Sequence, residues 1–328
     1  MKVLLSGATG FVGNAVARAL AASGHELRYL VRATSDTSRL PAGEHAQGDV
    51  LDRASFVSAA QGCGAVVHAA ALVKTWLPDA AQFEAVNVGG LRHALDAAAE
   101  ARARLVYTSS FIAVGPTGDG PADESRVHPG DRYRNDYERS KALADRVARE
   151  AAARGADVVI VYPGIVYGPG ALTDGNLVVK TIIEHLAGRM PGIVGPGDRL
   201  WSYAYVEDVA AGHVAALERG RPGERYFLCG ENVSMNDFFG RLAEVAGRPA
   251  PRLHIPYAAA ASLGFLLFLW AELTGHPPQF THREISVFRE HWAYSSAKAE
   301  AELGYRPTPL REGLRRTVEW LRESGLAG

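Results

Sequence analysis

The sequence predicts an α/β protein built on a doubly wound parallel sheet, with a smaller, mainly C-terminal lobe. Three observations predict it. Short apolar runs alternate with helical periods through the first half of the chain, the pattern of βαβ units. The first apolar run ends in the glycine-rich stretch Gly7-Ala-Thr-Gly-Phe-Val-Gly13, which opens the first helical period. After residue 163 the alternation loosens, and Gly and Pro cluster at Pro163-Gly164, Gly168-Pro-Gly170 and Gly195-Pro-Gly197. The expected division is a nucleotide-binding domain over 1–162, with a return around 200–219, and a mainly substrate-binding lobe over 163–328.

The elements follow in order. Strands are expected at Lys2–Ser6, His25–Val31, Glu44–Gly48, Ala65–Ala69, Leu105–Ser109 and Val158–Tyr162. Helical periods lie between them, at Val12–Ser23, Asp79–Ala101 and Asn135–Arg154. The most apolar stretch, Ile255–Ala271, falls short of the ~20 residues of a bilayer span. It reads as a buried or pocket-lining helix, with contact to a membrane surface as the less favoured alternative. The end of the chain, Leu310–Leu326, reads as an amphipathic helix.

Composition narrows the function. With 47% hydrophobic and 22% charged residues, the chain can bury a core and is not disordered. Lys and Arg number 35 against 36 Asp and Glu, so the basic excess of a nucleic-acid binder is missing. Cys63 and Cys229 are too few for a disulfide framework. Neither they nor His254, His276, His282 and His291 show a metal-ligand spacing, so no metal site is expected. Met1-Lys2 runs straight into the first strand without a charged and then apolar leader, which reads as a cytoplasmic protein.

The glycine loop carries the first chemical argument. Gly7 permits a tight turn, Gly10 lets backbone approach a pyrophosphate, and Gly13 lets the helix pack close to the strand. The free N–H groups of the helix start then face the phosphates. Gly7, Thr9, Gly10, Phe11 and Val12 are therefore candidate contacts of a dinucleotide, and the sheet reads as Rossmann-type. An acidic residue after the second strand would bind the ribose hydroxyl of NAD. Here that strand ends in Arg32, with Thr34 and Ser35 close behind, which favours the phosphate of NADP; NAD is the alternative. Asp49 and Val50, after the third strand, would cover the adenine, and Asp49 or Asp52 also suits a helix N-cap.

The second argument concerns catalysis. Tyr137 and Lys141 are four apart in a helical period and so share a face. A cation beside a phenol lowers its pKa from about 10, which suits a general acid or base. Tyr107-Thr-Ser-Ser110 ends the fifth strand, at the carboxyl edge where such sheets bind ligands. A serine hydroxyl there can hydrogen-bond a substrate oxygen. The charged, Pro- and Gly-broken stretch Asp119–Arg134 precedes Tyr137 and is a candidate lid.

These stretches, with His68-Ala-Ala70, Asn87-Val-Gly89 and Tyr167-Gly-Pro169, give the whole chain a resemblance to the extended short-chain dehydrogenase/reductase superfamily, the NAD-dependent epimerase/dehydratase family. Tyr107-Thr-Ser-Ser-Phe-Ile-Ala-Val-Gly-Pro116, Tyr137-Glu-Arg-Ser-Lys141, Val161–Gly170 and His291-Trp-Ala-Tyr-Ser295 resemble its dihydroflavonol-reductase-like and farnesol-dehydrogenase-like members. The resemblance implies that Tyr137 is the general acid/base, that Lys141 binds the nicotinamide ribose and tunes Tyr137, and that Ser110 polarises the substrate oxygen, with Ser109 as the fallback. It places His68, Ala69, Ala70 and Ala71 along the cofactor; His68, at a strand end, reads as structural rather than catalytic. Pro163, Ile165 and Val166 would flank the nicotinamide, and Asn87 would tie the fourth helix to the active-site backbone. It also implies a homodimer through the helices around Asp79–Ala101 and Asn135–Arg154.

The expected reaction is hydride transfer between NADP or NAD and a hydrophobic alcohol or carbonyl compound, prenyl, steroid-like or aromatic. A nucleotide-sugar epimerase or dehydratase is the alternative. Such members carry Arg-x-x-Asn-Val-Tyr-Gly before the second lobe, whereas this chain has Tyr162-Pro-Gly-Ile165-Val-Tyr-Gly168 and lacks the arginine and asparagine that help hold a diphosphate. A non-catalytic redox sensor is the third reading; such relatives usually lose the tyrosine or the lysine, and both are present here.

Overall fold

The computed structural model describes residues 1–118, 120–173 and 175–326. The first lobe runs β1 (Lys2–Ser6), α1 (Phe11–Ala22), β2 (Glu26–Val31), β3 (Glu44–Gln47), α2 (Arg53–Ala60), β4 (Ala65–His68), α3 (Ala81–Glu84), α4 (Gly90–Ala101), β5 (Arg104–Thr108), α5 (Asp136–Ala153) and β6 (Val158–Pro163). The second half adds β7 (Ile165–Tyr167), α6 (Leu177–Leu186), β8 (Ile193–Val194), β9 (Leu200–Tyr205), α7 (Val206–Arg219), β10 (Arg225–Leu228), β11 (Asn232–Ser234), α8 (Met235–Ala246), β12 (His254–Ile255), α9 (Tyr257–Thr274), α10 (His282–Val287), α11 (Ala297–Leu303) and α12 (Leu310–Glu323).

Seven strands form one parallel sheet in the order β3-β2-β1-β4-β5-β6-β10. The Rossmann-type α/β fold is therefore present. Successive side chains of a strand point to opposite faces, and the sequence fills both. Val3, Leu5, Val67, Val106 and Val161 pack with α1 and α7. Leu4, Val66, Leu105 and Ile160 pack with α2, α4 and α5 on the other side. Two buried faces explain why these strands read as continuous apolar runs. The strand order reverses between β1 and β4, which opens a crevice at their carboxyl ends, the usual ligand position in such sheets.

The helical period over Asp79–Ala101 is not one helix. A π-helical turn, Ala85–Gly89, separates α3 from α4 and carries Asn87. The second half of the chain also forms a small sheet, β11-β9-β7, and the β8–β12 pair. His291-Trp-Ala-Tyr-Ser295 runs as extended chain between the segment after β5 and β9. Thr117 N–H donates to the His291 carbonyl at 2.7 Å, Ala122 N–H to Ala293 at 2.9 Å and Trp292 N–H to Leu200 at 2.8 Å. Trp292 and Tyr294 are wholly buried, which anchors this strip.

One expectation fails. The apolar stretch Ile255–Ala271 is not a buried helix: only Ala260, Gly264 and Ala271 of α9 are buried. Its large side chains stand at the surface, Leu266 62% and Trp270 63% exposed. The structure places α10 along a narrow stripe of the helix and leaves most of its large apolar side chains at the surface.

Candidate active site

The phosphate end of the crevice is built by close backbone packing. Gly7 has φ +82°, and a Cβ there would lie 2.5 Å from the Ala70 nitrogen. The loop after β1 therefore touches the segment after β4 directly. A Cβ on Gly13 would overlap the Gly7 carbonyl, so α1 starts tight against the strand end. A Cβ on Gly10 would meet only the Gly7 oxygen, at 3.2 Å. Gly10 is the N-cap of α1 and no side chain caps the helix. The cradle thus keeps free N–H groups and an open approach over Gly10, and these residues fit a dinucleotide pyrophosphate.

The rest of the expected cofactor surface lines up along the same edge. Thr9 is exposed, Phe11 buried, and Val12 half-buried at the start of α1. Ala69, Ala70 and Ala71 are half-buried beside Gly7. Arg32 is exposed just after β2; its backbone N–H donates to the Ser35 hydroxyl at 3.1 Å. Asp49 accepts from Leu51 N–H at 2.9 Å, while Asp52 is the N-cap of α2, accepting from Ala54 N–H at 3.0 Å. The half-buried Val50 packs beside Gly90, with its carbonyl 2.8 Å from His93 Nδ1. Pro163 is buried, and Ile165 and Val166 half-buried, where the chain leaves β6.

His68 closes the floor. Its Nδ1 hydrogen-bonds Ser6 Oγ at 2.7 Å, joining the ends of β1 and β4. Burial pushes its pKa down to about 3, so it is neutral at neutral pH and poorly suited to proton transfer. Asn87 accepts from Leu72 N–H at 2.8 Å, and its amide donates to the Leu72 carbonyl at 3.3 Å and to Ser140 Oγ at 2.8 Å. The π-helical turn thus fastens the segment after β4 to α5, beside Lys141.

Tyr137, Lys141 and Ser110 come together from two elements. Asn135 caps α5, accepting from Glu138 N–H at 2.7 Å, which sets Tyr137 in the first turn and Lys141 in the second. Ser110 caps the short 3₁₀ turn Phe111–Val114 after β5, accepting from Ile112 N–H at 3.4 Å. Its side chain neighbours the Tyr137 phenol and acts to lower its pKa. Ser109 is buried, and its hydroxyl has no hydrogen-bond partner among the described residues.

The electrostatics differ from the sequence expectation. Burial pushes the Tyr137 phenol up to about 12, and the neighbouring Ser110 opposes only part of that rise. Lys141 does not lower it. The ammonium is 2% exposed and donates instead to Tyr107 Oη at 3.2 Å and to the Thr108 carbonyl at 3.0 Å. It also lies 5.0 Å above the Tyr107 ring. Burial pushes Lys141 down to about 7, and Asp145, one turn further along α5, pulls the other way. The physical reason is desolvation, which costs a buried charge more than one hydrogen bond or cation returns. Tyr137 is therefore a protonated phenol at neutral pH.

Two contributors escaped the sequence reading. Tyr107 supplies the hydroxyl and ring beneath Lys141, from a strand 34 positions away. Glu138, wholly buried beside Tyr137, gathers the preceding loop. It accepts from His128 Nε2 at 3.0 Å, Arg134 N–H at 2.8 Å and Arg134 Nη1 at 3.0 Å. Arg134 also reaches Glu290 at 2.9 Å, and its guanidinium lies over the Trp292 ring. Within the candidate lid, Asp119 lies outside the described residues, and the part nearest the site is pinned at Glu138. The signal was an acid next to the tyrosine, preceded by a histidine and an arginine; alone it reads as a solvated face.

Comparison with known proteins gives the chain its family. The model of the NAD dependent epimerase/dehydratase family matches residues 3–229. The chain is 34% identical to Sterol demethylase protein B of Methylococcus capsulatus, over 99% of this chain and all of that protein. It is 29% identical to 2-alkyl-3-oxoalkanoate reductase of Stenotrophomonas maltophilia, over 96% and 98% of the two chains. Among solved structures, gox2253 superposes with a TM-score of 0.84 at 34% identity, covering 99% of each chain.

Proposed function

The chain belongs to the NAD dependent epimerase/dehydratase family of extended short-chain dehydrogenases/reductases, and on that premise we propose that it transfers hydride between NADP and a hydrophobic alcohol or carbonyl compound, prenyl, steroid-like or aromatic. The observation that carries this reading is the meeting of Ser110 and Tyr137 above the buried Lys141, beside a cradle shaped for a dinucleotide. Two features support the apolar substrate. Tyr162 and Ile165 stand where sugar-nucleotide members have an arginine and an asparagine, and two relatives are named for a sterol and for a 2-alkyl-3-oxoalkanoate.

The bound nicotinamide supplies or takes the hydride. The protein's own residues manage the oxygen. In the direction of reduction, Ser110 Oγ hydrogen-bonds the substrate oxygen as its negative charge grows. Tyr137, a neutral phenol, gives its proton to that oxygen. Lys141, one turn along α5 from Tyr137, is fixed by its bonds to Tyr107 and the Thr108 carbonyl, and Asn87 keeps the flanking backbone in register. A panel of prenyl, steroid-like and aromatic alcohols and carbonyls, read by nicotinamide absorbance, tests the reading; turnover of none of them refutes it.

Arg32 is assigned to the NADP phosphate because it is an exposed cation at the end of β2 with the Ser35 hydroxyl alongside. Arg32→Asp should lower the preference for NADPH over NADH by at least about tenfold, since one charged hydrogen bond is worth roughly 1.5–3 kcal/mol. An unchanged ratio of kcat/KM values removes the assignment. The same catalytic residues also serve epimerases and dehydratases, which the family description includes; the fate of the hydride separates the two readings.

A further inference from the structure

The exposed face of α9 has no part in the reaction above. The helix has 18 residues and a mean hydropathy of 1.4. Leu263, Phe265, Leu266, Leu269, Trp270 and Leu273 are all exposed, Leu273 by 84%. Leu263, Leu266, Trp270 and Leu273 follow a three-four-three spacing, so they form one stripe about 15 Å long; Phe265 and Leu269 widen it. The sole acidic side chain of the helix, Glu272, accepts at its edge from Trp76 Nε1 at 2.8 Å. A contiguous apolar surface of this kind marks an interaction site.

The opposite side of α9 is fixed to the protein. A Cβ on Gly264 would lie 2.7 Å from the His282 nitrogen, so α10 crosses at backbone distance. Crossing a bilayer would tear α9 from α10 and from Trp76. Cations flank the apolar stripe instead. The Arg289 guanidinium lies 5.2 Å from the Tyr257 ring at the N-terminal end, and that of Arg283 lies 5.9 Å from the Phe268 ring midway. Arg252, exposed, precedes the strand that leads into the helix. An apolar helix lying flat with arginines at its margins matches the interface of an anionic bilayer.

We propose that α9 seats the protein on an anionic lipid surface, with Leu263, Leu266, Trp270 and Leu273 in the acyl boundary and Arg252, Arg283 and Arg289 toward the headgroups. The seat adjoins the active site: Arg283 also pairs with Asp136 at 2.8 Å, next to Tyr137, and Trp76 lies just beyond the Ala69–Ala71 segment. The docking stands without the proposed reaction; only the corollary, that an apolar substrate enters from the lipid, rests on it.

Flotation of the full-length protein with vesicles tests the docking and needs no turnover. The protein should float with vesicles containing phosphatidylglycerol and less with phosphatidylcholine alone. Leu266→Glu/Trp270→Glu should lower the floated fraction at least tenfold with an unchanged melting temperature, because both positions are exposed. Arg252→Glu/Arg289→Glu should remove the preference for the anionic vesicles. A wild type that stays at the bottom with both compositions overturns the proposal, as does a Leu266→Glu/Trp270→Glu variant that floats equally well. Light scattering supplies a further arm: a wild-type oligomer that this variant alone splits would assign the face to a second copy and sink the lipid surface.

Discussion

Tyr137→Phe should reduce kcat by roughly 10²–10⁴-fold, the contribution of a positioned general acid, while the dissociation constant for NADPH changes little. The substitution keeps the ring, which is half-buried against the main core, and removes only the hydroxyl. That hydroxyl is the group beside Ser110 and kept protonated by burial, with its pKa raised to about 12. The loss should fall on kcat more than on KM, because the proton moves only as the substrate oxygen gains charge. Fluorescence titration of the cofactor and steady-state kinetics measure the two quantities separately. Turnover within tenfold of the wild type would mean that the proton comes from another group.

The second large effect is expected at Glu138→Gln. The carboxylate is wholly buried and takes three hydrogen bonds from His128 and Arg134. Glutamine keeps the shape but loses the charge and turns one acceptor into a donor facing donors. Removing one partner of a buried ion pair costs roughly 3–5 kcal/mol. Arg134 retains Glu290, so the lower end applies. A fall in melting temperature of roughly 5–10 °C is expected, with a raised KM as the segment before Tyr137 loosens. Thermal unfolding followed by circular dichroism checks this, and an unchanged melting temperature would remove Glu138 as the anchor of that segment.

Much of the fold was legible because the sheet has two dry faces. Val3 to Leu5, Val66-Val67 and Val158 to Val161 cannot be read as anything half-exposed, and the glycine loop marks where the first strand must turn. The helix of Tyr137 was legible from its period, and Asn135 as its cap agrees with the chemistry of helix starts. Other features were not readable from local pattern. An all-apolar run such as Leu263–Trp270 looks the same whether a helix is buried or laid on a surface; its exposure depends on how little of it α10 covers. Lys141, on α5, has its hydroxyl partner on β5, so no helical spacing could name Tyr107. The charge balance at Tyr137 was misjudged for a related reason. Spacing shows which groups are neighbours, whereas burial, a property of the assembled fold, decides the direction of both shifts.

The central claim is that hydride leaves the cofactor for good and ends on an apolar substrate. It is tested most directly with NADPH deuterated at the transferable position of the nicotinamide, mixed with the protein and an aromatic, steroid-like or prenyl carbonyl compound. The account predicts deuterium on the carbinol carbon of the product alcohol, one atom for each cofactor oxidised. It would be contradicted by turnover of a sugar nucleotide with the dinucleotide recovered in its starting redox state and no deuterium in any alcohol formed from the carbonyl panel.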